Sequence, residues 1–235
     1  MPPEPRIAWV TGAAGGIGRA VVAALAGDGW SVEATDLALP ANPPAGARWS
    51  KLDATDEAAV AGFAAALPAC GAVVHLAGRA GRGPLAEVSV AEWRDLLEVN
   101  LTSAFLVARA SAQALAAARG CLVLCASTNG LNGGSALSGP AYAIAKAGIV
   151  NLSRYLAKEW AAAGVRVNCV APGPIDSPML DRLGVDVRAS LARAVPLGRV
   201  GRAEEVAASV RFLCSPDAAF LTGTVHNVSG GLVLD

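Results

Sequence analysis

Tyr142 and Lys146 stand four residues apart in Tyr142-Ala-Ile-Ala-Lys146. On one turn of helix that spacing stacks both side chains on a single face, with the ammonium close to the phenol. A free phenol titrates near pH ~10 and is a poor acid or base at neutrality, and a nearby cation favours its ionised form. By itself the pair is ordinary, since helices carry Tyr and Lys at this spacing by chance. It gains meaning from a second pattern, Thr11-Gly-Ala-Ala-Gly-Gly-Ile-Gly18.

That glycine run follows a strand-like segment and opens a helical one, the setting a phosphate-binding turn requires. Gly12 permits a sharp exit from the strand, Gly16 lets backbone approach a pyrophosphate, and Gly18 allows close packing of the helix. With Gly15 and Ile17 they supply a helix N-terminus whose amides lack internal partners. Asp36 ends the next strand-like run, Val-Glu-Ala-Thr-Asp36, at the spacing of an acid that meets an adenosine ribose. A carboxylate there accepts from ribose hydroxyls and repels a 2′-phosphate, and neither Gly15 nor Leu37 offers a compensating cation. This favours NAD over NADP. The plain alternative for Asp36 is a solvated residue at a strand end.

The elements that must position these groups alternate along the chain. Strand-like runs are expected at 6–11, 31–36, 48–52, 72–76, 121–126, 165–170 and 224–228. Helical ones are expected at 16–27, 56–67, 90–119 (one helix or two), 142–163 and 203–213. Apolar runs without strict polar alternation suit strands buried on both faces, and helices between them allow parallel right-handed crossovers. The segments 37–47, 78–89, 128–141 and 172–201 look irregular. No repeat, linker or composition shift divides the 235 residues, so one domain over 1–235 is expected, with a substrate loop at about 173–201.

Composition narrows the function classes. The chain is 54% hydrophobic and 16% charged, which excludes a disordered segment. Its 19 basic and 19 acidic residues balance, and no basic block invites nucleic acid or an anionic membrane. Cys70, Cys121, Cys125, Cys169 and Cys214 form no CxxC pair, and His75 and His226 are the only histidines; no metal is expected. Buried free thiols are expected instead. The apolar stretch 58–74 is broken by Gly62, Pro68 and Gly71, which points away from a membrane span. The first residues, Met-Pro-Pro-Glu-Pro-Arg6, lack the charged-then-apolar leader pattern, so a cytoplasmic protein is expected.

With the glycine turn, Asp36, Asn100 and the Tyr142/Lys146 pair in this order, the chain resembles a classical short-chain dehydrogenase/reductase from about residue 6 onward. The resemblance includes Val-Asn100-Leu-Thr-Ser and Val-Asn168-Cys-Val-Ala-Pro172-Gly173-Pro-Ile175-Asp-Ser177. It continues in Pro196-Leu-Gly-Arg-Val-Gly201 and Leu221-Thr-Gly-Thr-Val-His-Asn-Val-Ser-Gly-Gly231. It implies an α/β fold: a single-domain Rossmann-type, doubly wound sheet of about seven parallel strands with helices on both faces. It also implies a catalytic set of Ser127, Tyr142, Lys146 and Asn100. Tyr142 would exchange a proton with the substrate oxygen, and Lys146 would hold the nicotinamide ribose and favour the phenolate. Asn100 would support a water linking Lys146 to solvent; the plain alternative is an Asn bonded to nearby backbone.

The resemblance places the serine at the end of the strand before the Tyr helix, hence Ser127 in Ser-Thr-Asn-Gly130, with Ser135 and Ser138 as alternatives. Ala77-Gly78 would let backbone approach the adenosine ribose, and Asp53 would meet the adenine edge, with Asp56 or Thr55 as a helix cap beside it. Pro172, Gly173, Ile175 and Ser177 would hold the carboxamide. His75 stands where the family commonly has Asn and is expected to pack at a strand end. The expected activity is NAD-dependent hydride transfer between the cofactor and a secondary alcohol or ketone. An NADPH-dependent 3-oxoacyl-carrier-protein reductase and a non-catalytic dinucleotide sensor are the alternatives. A homotetramer, or a dimer, is implied by the resemblance alone. Leu131, Leu137, Met179, Leu180 and Leu183 suit either an apolar substrate wall or loop packing. Arg79 and Arg82 suit either an acidic substrate group or solvent.

Overall fold

The computed structural model describes residues 6–234; Met1–Pro5, which carry most of the N-terminal leader argument, lie outside the described residues, as does Asp235. Seven strands run β1 Ile7–Thr11, β2 Ser31–Asp36, β3 Ala47–Lys51, β4 Ala72–His75, β5 Cys121–Cys125, β6 Arg166–Pro172 and β7 Val225–Val228. They form one sheet in the order β3-β2-β1-β4-β5-β6-β7, every pairing parallel. The order reverses between β1 and β4, so a crevice opens at their carboxyl ends, where ligands of open α/β sheets bind.

The α-helices are α1 Gly16–Gly27, α2 Glu57–Ala65, α3 Val90–Leu97, α4 Ser103–Ala118, α5 Asn129–Asn132, α6 Pro140–Trp160, α7 Pro178–Asp181, α8 Val185–Ala194 and α9 Ala203–Cys214. Strand alternation divides the core into two layers. Ala8, Val10, Val74, Val123 and Val170 face α1 and α9, where Val21, Val22, Leu25, Val206, Val210 and Leu213 meet them. Trp9, Val73, Leu122, Leu124, Val167 and Cys169 face α2, α4 and α6 on the other side. Trp9 is fully buried, and its indole N–H donates to Thr35 Oγ1 at 2.9 Å. Its ring lies 5.0 Å from that of Phe63, so one side chain ties β1 to β2 and α2. Covering a side chain of this size contributes roughly 1.5–3 kcal/mol, provided its polar atom is paired.

Several boundaries differ from the expectation. β6 runs on to Pro172, which carries the chain directly to the crevice. The span expected as one or two helices is α3 and α4 joined by a π-turn at Glu98–Thr102, where the Ser103 N–H reaches back to Glu98 O. By length and composition Val90–Ala118 could cross a membrane, although 44% of its most apolar window is buried inside the fold. The loop at 172–201 is not irregular: it holds α7 and α8. Pro178 at the first turn starts α7, and α8 buries no residue, so neither displays the apolar stripe that reveals a helix. All five cysteines are buried free thiols, and burial pushes Cys70 up to about 11 and Cys169 up to about 12. Among the described residues no group of three His, Cys, Asp or Glu is arranged to hold a metal.

Candidate active site

A cavity of about 890 Å³ occupies the crevice. Its wall contains every residue singled out from the sequence for cofactor binding, together with Ser127, Tyr142 and Lys146. Asn100 is the exception: it is wholly buried behind the wall.

The glycine turn forms the floor. Gly12 has φ +66°, and a Cβ there would stand 2.5 Å from Ala77 N, so only glycine lets β1 exit flush against the end of β4. Gly15 caps α1 with no side-chain bond, leaving the amides of Gly16, Ile17 and Gly18 without helical partners at the cavity. Gly18 packs α1 onto the Gly12 carbonyl, as expected. Gly16 does something further: a Cβ there would stand 2.8 Å from Ser177 Cβ, so its bareness admits the segment after β6. Asp36 is less free than a ribose acceptor alone would be. Its Oδ2 accepts from Ala14 N at 2.9 Å and its Oδ1 from Ala38 N at 3.3 Å, so the carboxylate also braces the turn. Asp53 Oδ1 accepts from the Thr55 amide and hydroxyl at 2.9 and 2.7 Å, and these bonds hold its carboxyl below the usual range. The cap of α2 is Asp56, which accepts from Ala59 N at 3.0 Å.

The chemical groups come from β5 and α6. Lys146 is 4% exposed, its Nζ donates to Cys125 O at 2.7 Å, and it lies 5.6 Å from the centre of the Tyr142 ring. Ser127, just beyond β5, accepts from Asn129 N at 3.2 Å, which leaves its own O–H to donate. The alternatives, Ser135 and Ser138, also border the cavity; Ser138 spends its hydroxyl on its own loop, and Ser135 keeps a free O–H as Ser127 does but is exposed where Ser127 is buried. Ser138 Oγ donates to Ser135 O at 3.2 Å, and Ser135 Oγ accepts from Leu137 N at 3.3 Å.

Asn100 sits in the π-turn, a helix defect frequent at functional sites. Its Nδ2 donates to Leu96 O and Arg79 O at 2.9 Å each, and its Oδ1 accepts from Arg79 N at 3.1 Å. The side chain is therefore spent on backbone, and what it positions is the segment leaving β4. Gly78 in that segment is the spacer: a Cβ there would stand 2.6 Å from Asn100 Oδ1 and 3.3 Å from Lys146 Nζ.

The segment after β6 closes the far side. Gly201 N donates to Pro174 O at 2.9 Å and Asp176 N to Gly201 O at 2.8 Å, which turns the Ile175 N–H and C=O away from Gly201. Ser177 Oγ donates to that Ile175 carbonyl at 3.1 Å, leaving the Ile175 amide as the donor. The Gly173 amide is already committed to Val228 O at 3.0 Å. Of the leucines and methionine suggested as a substrate wall, Leu137, Met179, Leu180 and Leu183 line the cavity, whereas Leu131 packs against the core. Leu191 and Leu232 join the wall unannounced by any local sequence signal. Arg79 reaches the cavity paired with Asp95, and Arg82 is outside its lining.

His75 is buried and links three elements. Ser103 Oγ donates to Val99 O at 2.7 Å, a carbonyl that can only accept, so Ser103 must accept from His75 Nε2–H at 3.1 Å. Nδ1 is then the acceptor for the Thr11 hydroxyl at 2.8 Å. Burial, and secondarily the charge of Lys146, push the imidazole from 6.5 down to about 3. Between those values the unfolded chain binds a proton that the folded chain refuses, so stability is complete above pH 6.5 and falls as pH drops towards 3. We expect this one group to remove about 2 kcal/mol between pH 7 and pH 5. Denaturant unfolding of wild type and His75→Asn at both pH values checks this. An unchanged acid loss in the variant would assign it elsewhere.

The donor set fits a dinucleotide: uncapped amides at α1, an acid at the end of β2, and a buried cation facing a phenol. A family model described as enoyl-(acyl carrier protein) reductase matches residues 12–233. The chain is 40% identical to cis-4-hydroxycyclohexanecarboxylate dehydrogenase of Sinomonas cyclohexanicum over 96% of each protein. It is 36% identical to 3-oxoacyl-[acyl-carrier-protein] reductase FabG of Escherichia coli (strain K12) over 98% of each. Its fold matches the ligand-free aldohexose dehydrogenase of Thermoplasma acidophilum with a TM-score of 0.90, at 25% identity, over 97% of this chain and 94% of that one. With this fold, this site and these relatives, the chain belongs to the classical short-chain dehydrogenase/reductase family, as an oxidoreductase that uses a nicotinamide cofactor.

Proposed function

We propose that the protein is an NAD-dependent oxidoreductase acting between a secondary alcohol and its ketone. The observation that carries this is one cavity wall shared by Ser127, Tyr142, Lys146 and the uncapped N-terminus of α1. Gly16, Ile17 and Gly18 would hold the pyrophosphate, Asp36 the adenosine ribose, Asp53 the adenine edge, and Lys146 the second ribose. The Ile175 amide and the Ser177 hydroxyl would take the carboxamide. The bound nicotinamide supplies the hydride acceptor in oxidation and the hydride donor in reduction. Tyr142 takes the proton of the substrate hydroxyl as the ketone forms and returns it in the reverse direction. Ser127 donates a hydrogen bond to the same oxygen, where charge develops. Lys146, held by the Cys125 carbonyl, fixes the phenol's surroundings, and Asn100 fixes the segment at Gly78 and Arg79 that packs beside it.

Two named relatives support the substrate class. One is a dehydrogenase of a ring alcohol that carries a carboxylate, and the other reduces a 3-oxoacyl group. The second reading, a 3-oxoacyl-carrier-protein reductase using NADPH, draws on the latter relatives. In the first reading the protein works on a small molecule and in the second on an acyl group held by a carrier protein; in both it acts free of nucleic acid and membrane, in the cytoplasm, as a homotetramer or a dimer. The test mixes purified protein with NAD⁺ or NADP⁺ and a panel of secondary alcohols, ring hydroxy acids and 3-hydroxyacyl thioesters, following reduced-nicotinamide absorbance. We expect NAD⁺ to be preferred by at least ~10-fold, about 1.4 kcal/mol, because Asp36 repels a 2′-phosphate. NADP⁺ preference with thioesters would promote the second reading.

A further inference from the structure

We propose that Arg182 is the specificity-determining cation of the substrate end, and that the substrate carries a carboxylate there. This rests on the oxidoreductase reading above and names the class of molecule the site takes.

Arg182 follows α7 and borders the cavity. Its Nε donates to Met179 O at 3.1 Å, Nη1 to Gly81 O at 2.9 Å, and Nη2 to Leu137 O at 2.7 Å. Three separate segments thus converge on one planar group and fix its orientation. A guanidinium has five N–H donors, so two, one on each terminal nitrogen, are left over for a ligand that accepts, as a carboxylate does.

The bonds that hold Arg182 leave its charge uncompensated, because all three acceptors are neutral carbonyls. Its neighbour Asp181 is turned to Arg188, 2.5 Å away, and Asp176 is paired to the same arginine. Asp95, the remaining acid of this region of the wall, is taken by Arg79. Among the described residues no ion pair includes Arg182. The cavity is therefore electrically polarised. Asp36 and Asp53 mark its adenosine end, whereas its substrate end offers an unneutralised arginine among Leu137, Met179, Leu183 and Leu191. Arg182 is itself exposed, as are Leu137 and Met179 beside it, so an entering anion can reach the guanidinium. A neutral alcohol would leave that cation unused. An anionic one would pair with it while its carbinol carbon lies towards Tyr142.

The experiment compares an acid with its isosteric neutral amide, so that it reads charge recognition and not turnover. Calorimetry would measure binding of cyclohexanecarboxylate and of cyclohexanecarboxamide to NADH-loaded protein, in wild type, Arg182→Met and Arg182→Lys. We expect wild type to bind the acid at least ~10-fold more tightly than the amide, the scale of one charge-assisted hydrogen bond. Arg182→Met should lose that preference while amide affinity changes less than ~3-fold, and Arg182→Lys should keep part of it. Equal affinity of wild type for acid and amide, or binding of neither, overturns the proposal. Equal weakening of both ligands in Arg182→Met also overturns it, since Arg182 would then only fasten the loops. Failure of the oxidoreductase reading looks different: no secondary alcohol, charged or neutral, would be turned over with either cofactor.

Discussion

Replacing Tyr142 with phenylalanine should leave the fold and NADH binding unchanged and lower turnover by well over ~100-fold, the scale of general acid–base catalysis. The substitution removes one atom. The ring remains buried beside Lys146, whose Nζ is 5.6 Å from its centre, and that contact needs no hydroxyl. No protein group among the described residues hydrogen-bonds the Tyr142 oxygen, so its removal orphans no partner, and stability should stay within ~0.5 kcal/mol. The oxygen is therefore free to bond what enters the cavity. An interaction made only as the proton moves should reduce kcat and kcat/KM together while leaving the cofactor dissociation constant in place. Steady-state kinetics with a fluorescence titration of NADH separate these quantities. Turnover within tenfold of wild type would remove Tyr142 from the proton's path.

What was legible in the chain was what neighbouring residues encode. A glycine run between a strand and a helix announces itself because backbone geometry is local, and so does a Tyr/Lys pair one helical turn apart. The buried strands were legible too, since β4 and β5 are apolar on both faces. The misses are places where distant segments meet. Asp36 reads from its place at a strand end as a ribose acceptor, but its bond to Ala14 joins residues 22 apart and adds a bracing role that local sequence cannot show. Helix α8 is invisible in the sequence because a helix that buries no residue has no apolar period. Leu131 and Leu137 flank the same short loop and look alike, yet one enters the core and the other the cavity. Asn100 stands out only through the family resemblance, while its packing behind Gly78 depends on a π-turn without a simple sequence signature. Arg182 gained its place only when residues 81, 137 and 179 converged on it.

Lys146→Met should separate stability from function. The lysine is 4% exposed, its protein acceptor is the Cys125 carbonyl, and among the described residues it has no carboxylate partner. Taking an ammonium out of water without a counter-charge costs several kcal/mol. Methionine fills nearly the same unbranched volume without that penalty, and the main loss is a donor for Cys125 O, about 1 kcal/mol. The cofactor-free variant should therefore melt at or above the wild-type temperature. Turnover should nevertheless fall by more than ~100-fold, because the cation beside Tyr142 and the proposed hold on the nicotinamide ribose go together. Arginine should not restore it: a Cβ on Gly78 would already stand 3.3 Å from Nζ, so the wider guanidinium has no room beneath Asn100. Thermal melts beside kinetics decide the matter. A fall of more than about 5 °C would correspond to over ~1 kcal/mol for a chain of this size, and would mean the buried ammonium contributes net stability to the fold. A stable, inactive variant would instead show that this charge is maintained for catalysis at the expense of the fold.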